Sequence, residues 1–193
     1  KGHDTVIYID EVRNASSKSF DYSIEKEKRL VTILKSGDIK EANKILLKIL
    51  TDNLERRSMT HEMINNFFNS LVSTAIRAIY EMQATITEVF GQEIDIYVEM
   101  RRRDLVEDKK SYIYFIFKSI AIYASERRKH SKNTMVYEKI SAFIEENYDT
   151  ELSLEKVAEV VDLSPSYLSY LFKEISGMNF VDYVNKYRLE KAK

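Results

Sequence analysis

The chain has 193 residues, and its 30 Lys and Arg stand against 31 Asp and Glu, which excludes a polycation or an acidic disordered tail. Four Gly and one Pro leave few residues for the tight turns of a sandwich or barrel, and favour long helices. The absence of Cys excludes disulfides, thiolate zinc sites and cysteine nucleophiles, and suits a reducing compartment. We therefore expect an all-α, cytoplasmic protein.

Residues 1–22 are predicted to be the remnant of an upstream segment. Residues 5–9 are β-branched and aromatic, the pattern of a short strand, and no secretory signal core precedes them. We expect both ends of the chain to be internal to a longer protein. Lys1 is not an initiator Met, and residues 188–193 contain no Gly or Pro that would end a helix.

Helical periodicity begins at Ile24, and Gly37 stands where a helix-ending glycine belongs. Asp38 and Thr60 are predicted to start the second and third helices, and Gly91 to interrupt the chain. Residues 112–117 fit a buried helix or a strand equally well by periodicity. A helix is predicted because apolar residues continue at helical spacing to Ala124, followed by cations at residues 127–129.

Residues 129–134 are the predicted linker, so residues 23–132 form a helical regulatory domain and residues 133–193 a second domain. An amphipathic helix is expected over residues 136–147. The most apolar stretch, residues 112–124, is shorter than the roughly 20 residues of a spanning helix and contains Lys118. No membrane segment is predicted within the chain.

The segment from Leu154 onward has the spacing of a helix-turn-helix. Ser153 can cap a first helix, a break follows at residues 162–163, and Ser164 with Pro165 can cap and start a second helix. Ala158 is a small residue at the place where two steeply crossing helices must approach closely. Such a motif can lay its second helix in the major groove of double-stranded DNA.

The second helix has one apolar and one polar face. Its apolar residues recur at i, i+3, i+4 and i+7: Leu168, Leu171, Phe172 and Ile175. The polar face consists of Ser166, Ser169, Tyr170 and Lys173. Hydroxyl and phenol groups can reach base edges and Lys173 can pair with a phosphate, so these four are the candidate DNA-binding residues.

This segment resembles the AraC/XylS family of bacterial transcription regulators. The resemblance rests on residues 152–158, 163–169 and 171–174, with Gly177, Phe180, Tyr183, Arg188 and Ala192. The helix over residues 136–148 also resembles the lead helix of the family. The resemblance implies two helix-turn-helix motifs joined by a long helix, of which residues 133–193 contain the first motif. It also implies base-facing positions for Ser166, Ser169 and Tyr170.

Residues 20–27, 34–38 and 42 resemble the helical region that precedes the DNA-binding unit in larger AraC-type regulators, including YesN-like response regulators and membrane-anchored sensor forms. The implied partners are double-stranded DNA and an upstream sensor or receiver domain. Signal could arrive by homodimerisation or through a small-molecule effector, and the sequence leaves both open.

Other patterns favour packing over chemistry. Aromatics at helical spacing (Phe67, Phe68, Tyr112, Phe115 and Phe117) are predicted to be core, and the basic runs at residues 101–103 and 127–129 to be solvated helix ends. Asn65 stands where a zinc-protease helix beginning at His61 needs its second His, so no metal site is predicted. No acid–base pair or nucleophile constellation is present, so neither enzyme activity nor a cofactor is predicted.

Charge limits the DNA-binding hypothesis. Residues 153–193 contain six Lys and Arg and six Asp and Glu. Neutralisation of DNA phosphates supplies much of protein–DNA affinity. A single helix-turn-helix with this balance of charges is therefore expected to bind DNA weakly unless a second motif or a dimer adds to it. The competing hypothesis is a helical ligand-sensing or interaction module whose terminal helices only pack.

Overall fold

The computed structural model describes residues 19–192, and the predicted strand at residues 5–9 lies outside them. Within the described residues the chain forms helices and no strand, which confirms the all-α class. In chain order the helices are α1 Ile24–Ser36, α2 Ile39–Leu54, α3 His61–Glu81, α4 Ile86–Phe90, α5 Ile96–Arg101, α6 Val106–Asn147, α7 Leu154–Val160, α8 Pro165–Ser176 and α9 Phe180–Lys191. None of the helices in this part of the chain combines the length and apolar character needed to cross a bilayer.

The starts of α2 and α3 and the end of α1 lie at the residues predicted from the sequence. The carboxylate of Asp38 accepts a hydrogen bond from the Glu41 amide at 2.9 Å and so caps α2. Thr60 caps α3 in the same way through the Met63 amide. Gly37 ends α1 in the left-handed conformation that glycine adopts without strain. These caps supply partners for amides that would otherwise lack one.

The described chain divides into two compact units, an N-terminal unit that ends at Glu126 and a C-terminal unit that begins at Arg127. The N-terminal unit has its own core, built from α1, α2, α3, α5 and the first part of α6. Its largest fully buried side chains include Phe67, Phe68, Phe117, Leu34 and Leu50. Residues 112–117 are helical and not a strand, as predicted.

The chain just before α1 packs onto the N-terminal unit. Phe20 and Tyr22 contact its core, and the Tyr22 hydroxyl lies 2.7 Å from Thr74 Oγ1. Buried Asn53 accepts a hydrogen bond from the Asp21 amide at 2.6 Å and donates to the Asp21 carbonyl at 3.1 Å. Residues 20–22 therefore belong structurally with the helices that follow them.

Two predictions differ from the structure, one about where a helix ends and one about the burial of an aromatic side chain. Residues 129–134 are not a loop: α6 runs unbroken from Val106 to Asn147, because no Gly or Pro interrupts it and its residues all tolerate a helix. The solvated stretch between its two apolar parts is part of the same helix. Phe115 is 52% exposed rather than core, and its ring packs at the surface on Tyr112 and Phe90.

Gly37 and Gly91 both end helices with a left-handed backbone, but their surroundings differ. A Cβ on Gly37 would lie 2.7 Å from the backbone N and Cα of Ser125, whereas a Cβ on Gly91 would meet nothing within 4 Å. Gly91→Ala should cost about 1–2 kcal/mol of unfolding free energy from backbone strain alone. Gly37→Ala should cost about 1–3 kcal/mol more because of overpacking. Urea unfolding followed by circular dichroism compares the two; equal losses would refute the close approach of α1 to α6.

Candidate nucleic-acid interface

The C-terminal unit is organised around a core shared by the end of α6 and helices α7, α8 and α9. Its buried members are Ile140, Ile144, Val157, Ala158, Leu168, Phe172, Phe180 and Val184. Ala158 is 1% exposed, which agrees with the prediction of a small residue where helices approach closely. Each of the four helices contributes two of these side chains, so the core holds them together as one unit.

The turn between α7 and α8 is built by local hydrogen bonds. Leu163 donates its amide to the Ala158 carbonyl at 3.0 Å, and Asp162 donates to the Glu159 carbonyl at 3.2 Å, the pattern of a Schellman motif. Asp162 has φ 54°, in the left-handed region that Asp tolerates better than most residues. Ser164 then caps α8 by accepting from the Tyr167 amide, and Pro165 occupies its first turn.

Helix α8 separates its faces as predicted. Leu168, Leu171 and Phe172 are buried and Ile175 is partly buried. The predicted contact residues lie on the opposite face: Ser166, Tyr170 and Lys173 are exposed, and Ser169 is half-buried beside them. Tyr170 is 62% exposed, although large aromatic side chains usually lie in cores. The face offers three hydroxyl groups and one ammonium group to a ligand outside the helix.

An aromatic cluster holds α8 in place from its buried side. The Phe172 ring lies 5.3 Å from Tyr137 of α6, and 5.8 Å and 5.1 Å from Phe180 and Tyr183 of α9, all measured between ring centroids. Burial raises the pKa of the Tyr183 phenol, and the neighbouring Tyr137 adds to this rise, so Tyr183 stays uncharged. Edge-to-face contacts of this kind fix ring orientation as well as distance.

Arg188, noted in the sequence only as part of the family pattern, clamps the end of α6. Its Nε donates to the Tyr148 carbonyl at 2.7 Å and its Nη2 donates to the Thr150 carbonyl at 2.7 Å. These carbonyls follow the last turn of α6, where backbone acceptors lack helical partners. Sequence reasoning had no signal for this role, because the two acceptors are about forty residues away.

The start of α8 also touches α6, which sequence reasoning missed. The Tyr167 hydroxyl donates to Asn133 Oδ1 across 3.4 Å, and Tyr167 is 39% exposed. Asn133 lies inside the stretch predicted to be a linker. Lys129 precedes Asn133 by four residues and therefore lies on the same helical face, one turn away. A cation of α6 thus lies one turn from the residue that contacts the start of α8, the part of the second helix that enters the groove in helix-turn-helix proteins.

The candidate interface contains no group that suggests bound metal. Within residues 19–192, no cluster of three or more His, Asp or Glu side chains could hold a metal ion. His61 and His130 lie in different units, on α3 and α6. The groups that the candidate interface presents are therefore the hydroxyl, phenol and ammonium groups on the exposed face of α8.

Two capped helices that share a core around a small residue, with a polar exposed face on the second, form the arrangement of a helix-turn-helix motif, which in other proteins places its second helix in DNA. Residues 144–185 match the family described as bacterial regulatory helix-turn-helix proteins, AraC family. The match lies within the C-terminal unit, and it confirms the resemblance to the AraC family over residues 144–185.

Several curated proteins are similar to the chain. An uncharacterized HTH-type transcriptional regulator of Escherichia coli (strain K12), YijO, is 38% identical over 69 residues, which are 36% of this chain and 24% of that protein. An uncharacterized HTH-type transcriptional regulator of Bacillus subtilis (strain 168), YtdP, is 21% identical over 192 residues, 98% of this chain and 24% of its own length. The XylDLEGF operon transcriptional activator of Pseudomonas putida is 34% identical over 67 residues, 35% of this chain and 21% of that protein.

The chain therefore spans about a quarter of the length of YijO and of YtdP. No solved structure matches the chain significantly. The family match covers residues 144–185, and each of these three relatives is named as a transcriptional regulator or activator.

Replacing Arg188 should loosen the end of α6. Arg188→Lys keeps the charge but cannot reach both carbonyls with a planar fork, so we expect a loss of about 1–3 kcal/mol in local stability. Hydrogen exchange resolved by peptide should show faster exchange in residues 144–150. The matched control is Lys186→Arg, an exposed cation on the same helix. Unchanged exchange in Arg188→Lys would contradict the clamp.

Proposed function

We propose that the chain is part of a sequence-specific transcription regulator of the AraC type that acts in the cytoplasm and inserts α8 into the major groove of double-stranded DNA. The observation that carries this proposal is the exposed polar face of α8, held by a buried opposite face within a helix-turn-helix. In such motifs the residues near the start of the second helix contact base edges. The proposal assigns no catalytic role to any residue.

Each candidate residue has a role that suits its chemistry. The hydroxyls of Ser166 and Ser169 and the phenol of Tyr170 can donate to or accept from base edges, and the Tyr170 ring can also contact a thymine methyl group. Lys173, one turn further along the face, is suited to a phosphate oxygen. Tyr167 and Glu174 of α8 are exposed as well, and the proposal assigns them no base contact.

Lys129 is a further proposed phosphate contact. The face of α8 has a single cation, and residues 153–193 balance six basic against six acidic side chains. Lys129 is exposed and lies one turn from Asn133, which touches the start of α8 through Tyr167. If the start of α8 enters the groove, this part of α6 approaches the flanking phosphates, where a cation adds affinity without sequence preference.

The N-terminal unit is the proposed regulatory domain. It has a separate core and shares none of its buried residues with the helix-turn-helix. Signal would reach it by homodimerisation, from a small-molecule effector, or from an upstream sensor or receiver domain. The alternative of a purely interacting module would leave the polar face of α8 without a ligand.

Ser169→Ala combined with Tyr170→Ala should alter base preference. A selection from random-sequence duplexes at low salt should enrich a short motif with the original chain, and the double variant should lose preference at adjacent positions, by about 1–3 kcal/mol for each lost contact. Leu189→Ala is the control, because Leu189 is 67% exposed on α9 and away from the α8 face. If the double variant and the original chain enrich the same motif equally, these residues do not read bases.

Lys173→Ala and Lys129→Ala should weaken binding without changing the motif. Each variant should lower the slope of log K against log salt by about 0.9, because one fewer counterion is released from the duplex. Fluorescence anisotropy with a fixed duplex at several salt concentrations measures the slope. Lys139→Ala is the control, an exposed cation of α6 on a different face from Lys129. A slope equal to that of the control variant would remove the residue concerned from the interface.

A further inference from the structure

The N-terminal unit contains a polar cavity of about 300 Å³ between the first turns of α3 and the segment that joins α5 to α6. Its volume lies at the lower end of the range of small-molecule sites, roughly 300–1,000 Å³. Its polar lining residues are His61, Asn65, Asn69, Arg101, Asp104 and Lys109. No part of the proposed DNA reading uses these residues.

Lys109 is the unusual member of this lining. It is 4% exposed, and its ammonium donates one hydrogen bond, to the Met100 carbonyl at 3.2 Å. No carboxylate within residues 19–192 forms an ion pair with it. An ammonium group has three donors, and burying a charge that forms no close ion pair is costly. Burial lowers the pKa of Lys109, and Asp104 opposes that shift. A ligand that carries negative charge would offset the cost.

The neighbouring side chains provide further hydrogen-bonding groups. Asn65 and Asn69 are half-buried, and their side-chain amides make no hydrogen bond to other groups in the described part of the chain. Each amide offers donors and an acceptor. Arg101 is exposed at the cavity and adds a second cation, while the Asp104 carboxylate can accept hydrogen bonds only. The cavity therefore combines cations for an anionic group with acceptors for hydroxyl groups.

We propose that this cavity binds a small hydroxylated organic anion, a carboxylate or a phosphate ester, with the anionic group on Lys109 and Arg101 and the hydroxyl groups on Asn65, Asn69 and Asp104. The acceptor groups disfavour a plain inorganic anion, and the two cations disfavour a neutral polyol. This inference concerns binding to the N-terminal unit and does not rest on the proposed DNA reading. Its test contains no DNA, so the two proposals can fail separately.

The first experiment compares matched probes on the full chain by thermal unfolding and calorimetry. Gluconate should raise the melting temperature saturably, by at least about 2 °C at millimolar concentrations. Sorbitol has the hydroxyl groups without the charge, and acetate and inorganic phosphate have the charge without the hydroxyl groups, so each should give a much smaller shift. Glucose 6-phosphate tests whether a phosphate ester replaces the carboxylate. Sodium chloride at equal ionic strength sets the baseline.

The second experiment locates the site. Lys109→Met should reduce the affinity for the binding probe at least tenfold, whereas the neighbouring Lys110→Met, which removes a lysine paired with Glu107, should leave it unchanged. Arg101→Gln and Asn69→Ala change two other residues that line the cavity, and each should weaken binding of the probe. These two variants locate the site even if Lys109→Met does not fold. The inference is overturned if neither organic anion binds, if sorbitol binds as well as gluconate, or if the variants bind as the original chain does.

Discussion

The packing of the Phe172 ring determines where the exposed face of α8 points. Phe172 contacts Tyr137 of α6 and both Phe180 and Tyr183 of α9 through ring pairs 5.1–5.8 Å apart. A ring enclosed on three sides by other rings cannot rotate without opening cavities, and removing a buried Phe typically costs about 3–5 kcal/mol. Because Phe172 lies opposite Tyr170 on the helix, the cluster holds the polar face outward. The orientation of the proposed DNA-contacting face therefore depends on buried side chains on the opposite side of α8.

The features that the sequence predicted well are those decided by a few neighbouring residues. The caps at Asp38, Thr60 and Ser164 need only a side-chain oxygen and an amide three residues later. The break predicted at residues 162–163 is a turn formed by two backbone hydrogen bonds within five residues. The two faces of α8 follow from its apolar spacing, so the position of its four polar residues could be predicted without tertiary information.

The features that the sequence did not predict depend on residues far apart in the chain. The length of α6 was missed because a polar stretch of charged residues resembles a loop in composition, although nothing in it breaks a helix. Arg188 and Tyr167 find their partners about forty and thirty-four residues away. The cavity around Lys109 combines α3 with the α5–α6 segment, and no periodicity in either sequence indicates that they meet. In each case the missing information is tertiary.

Charge distribution separates specificity from affinity in this unit. The face of α8 offers three hydroxyl groups and one ammonium, which can discriminate bases but neutralise little phosphate charge. Four of the eleven Lys and Arg from residue 127 onward lie within residues 127–132, at the α6 end of the unit. The Tyr167–Asn133 contact joins that basic stretch to the start of α8. The neutral composition is therefore compatible with the proposed DNA binding, because that proposal places base contacts on α8 and additional phosphate contacts on α6.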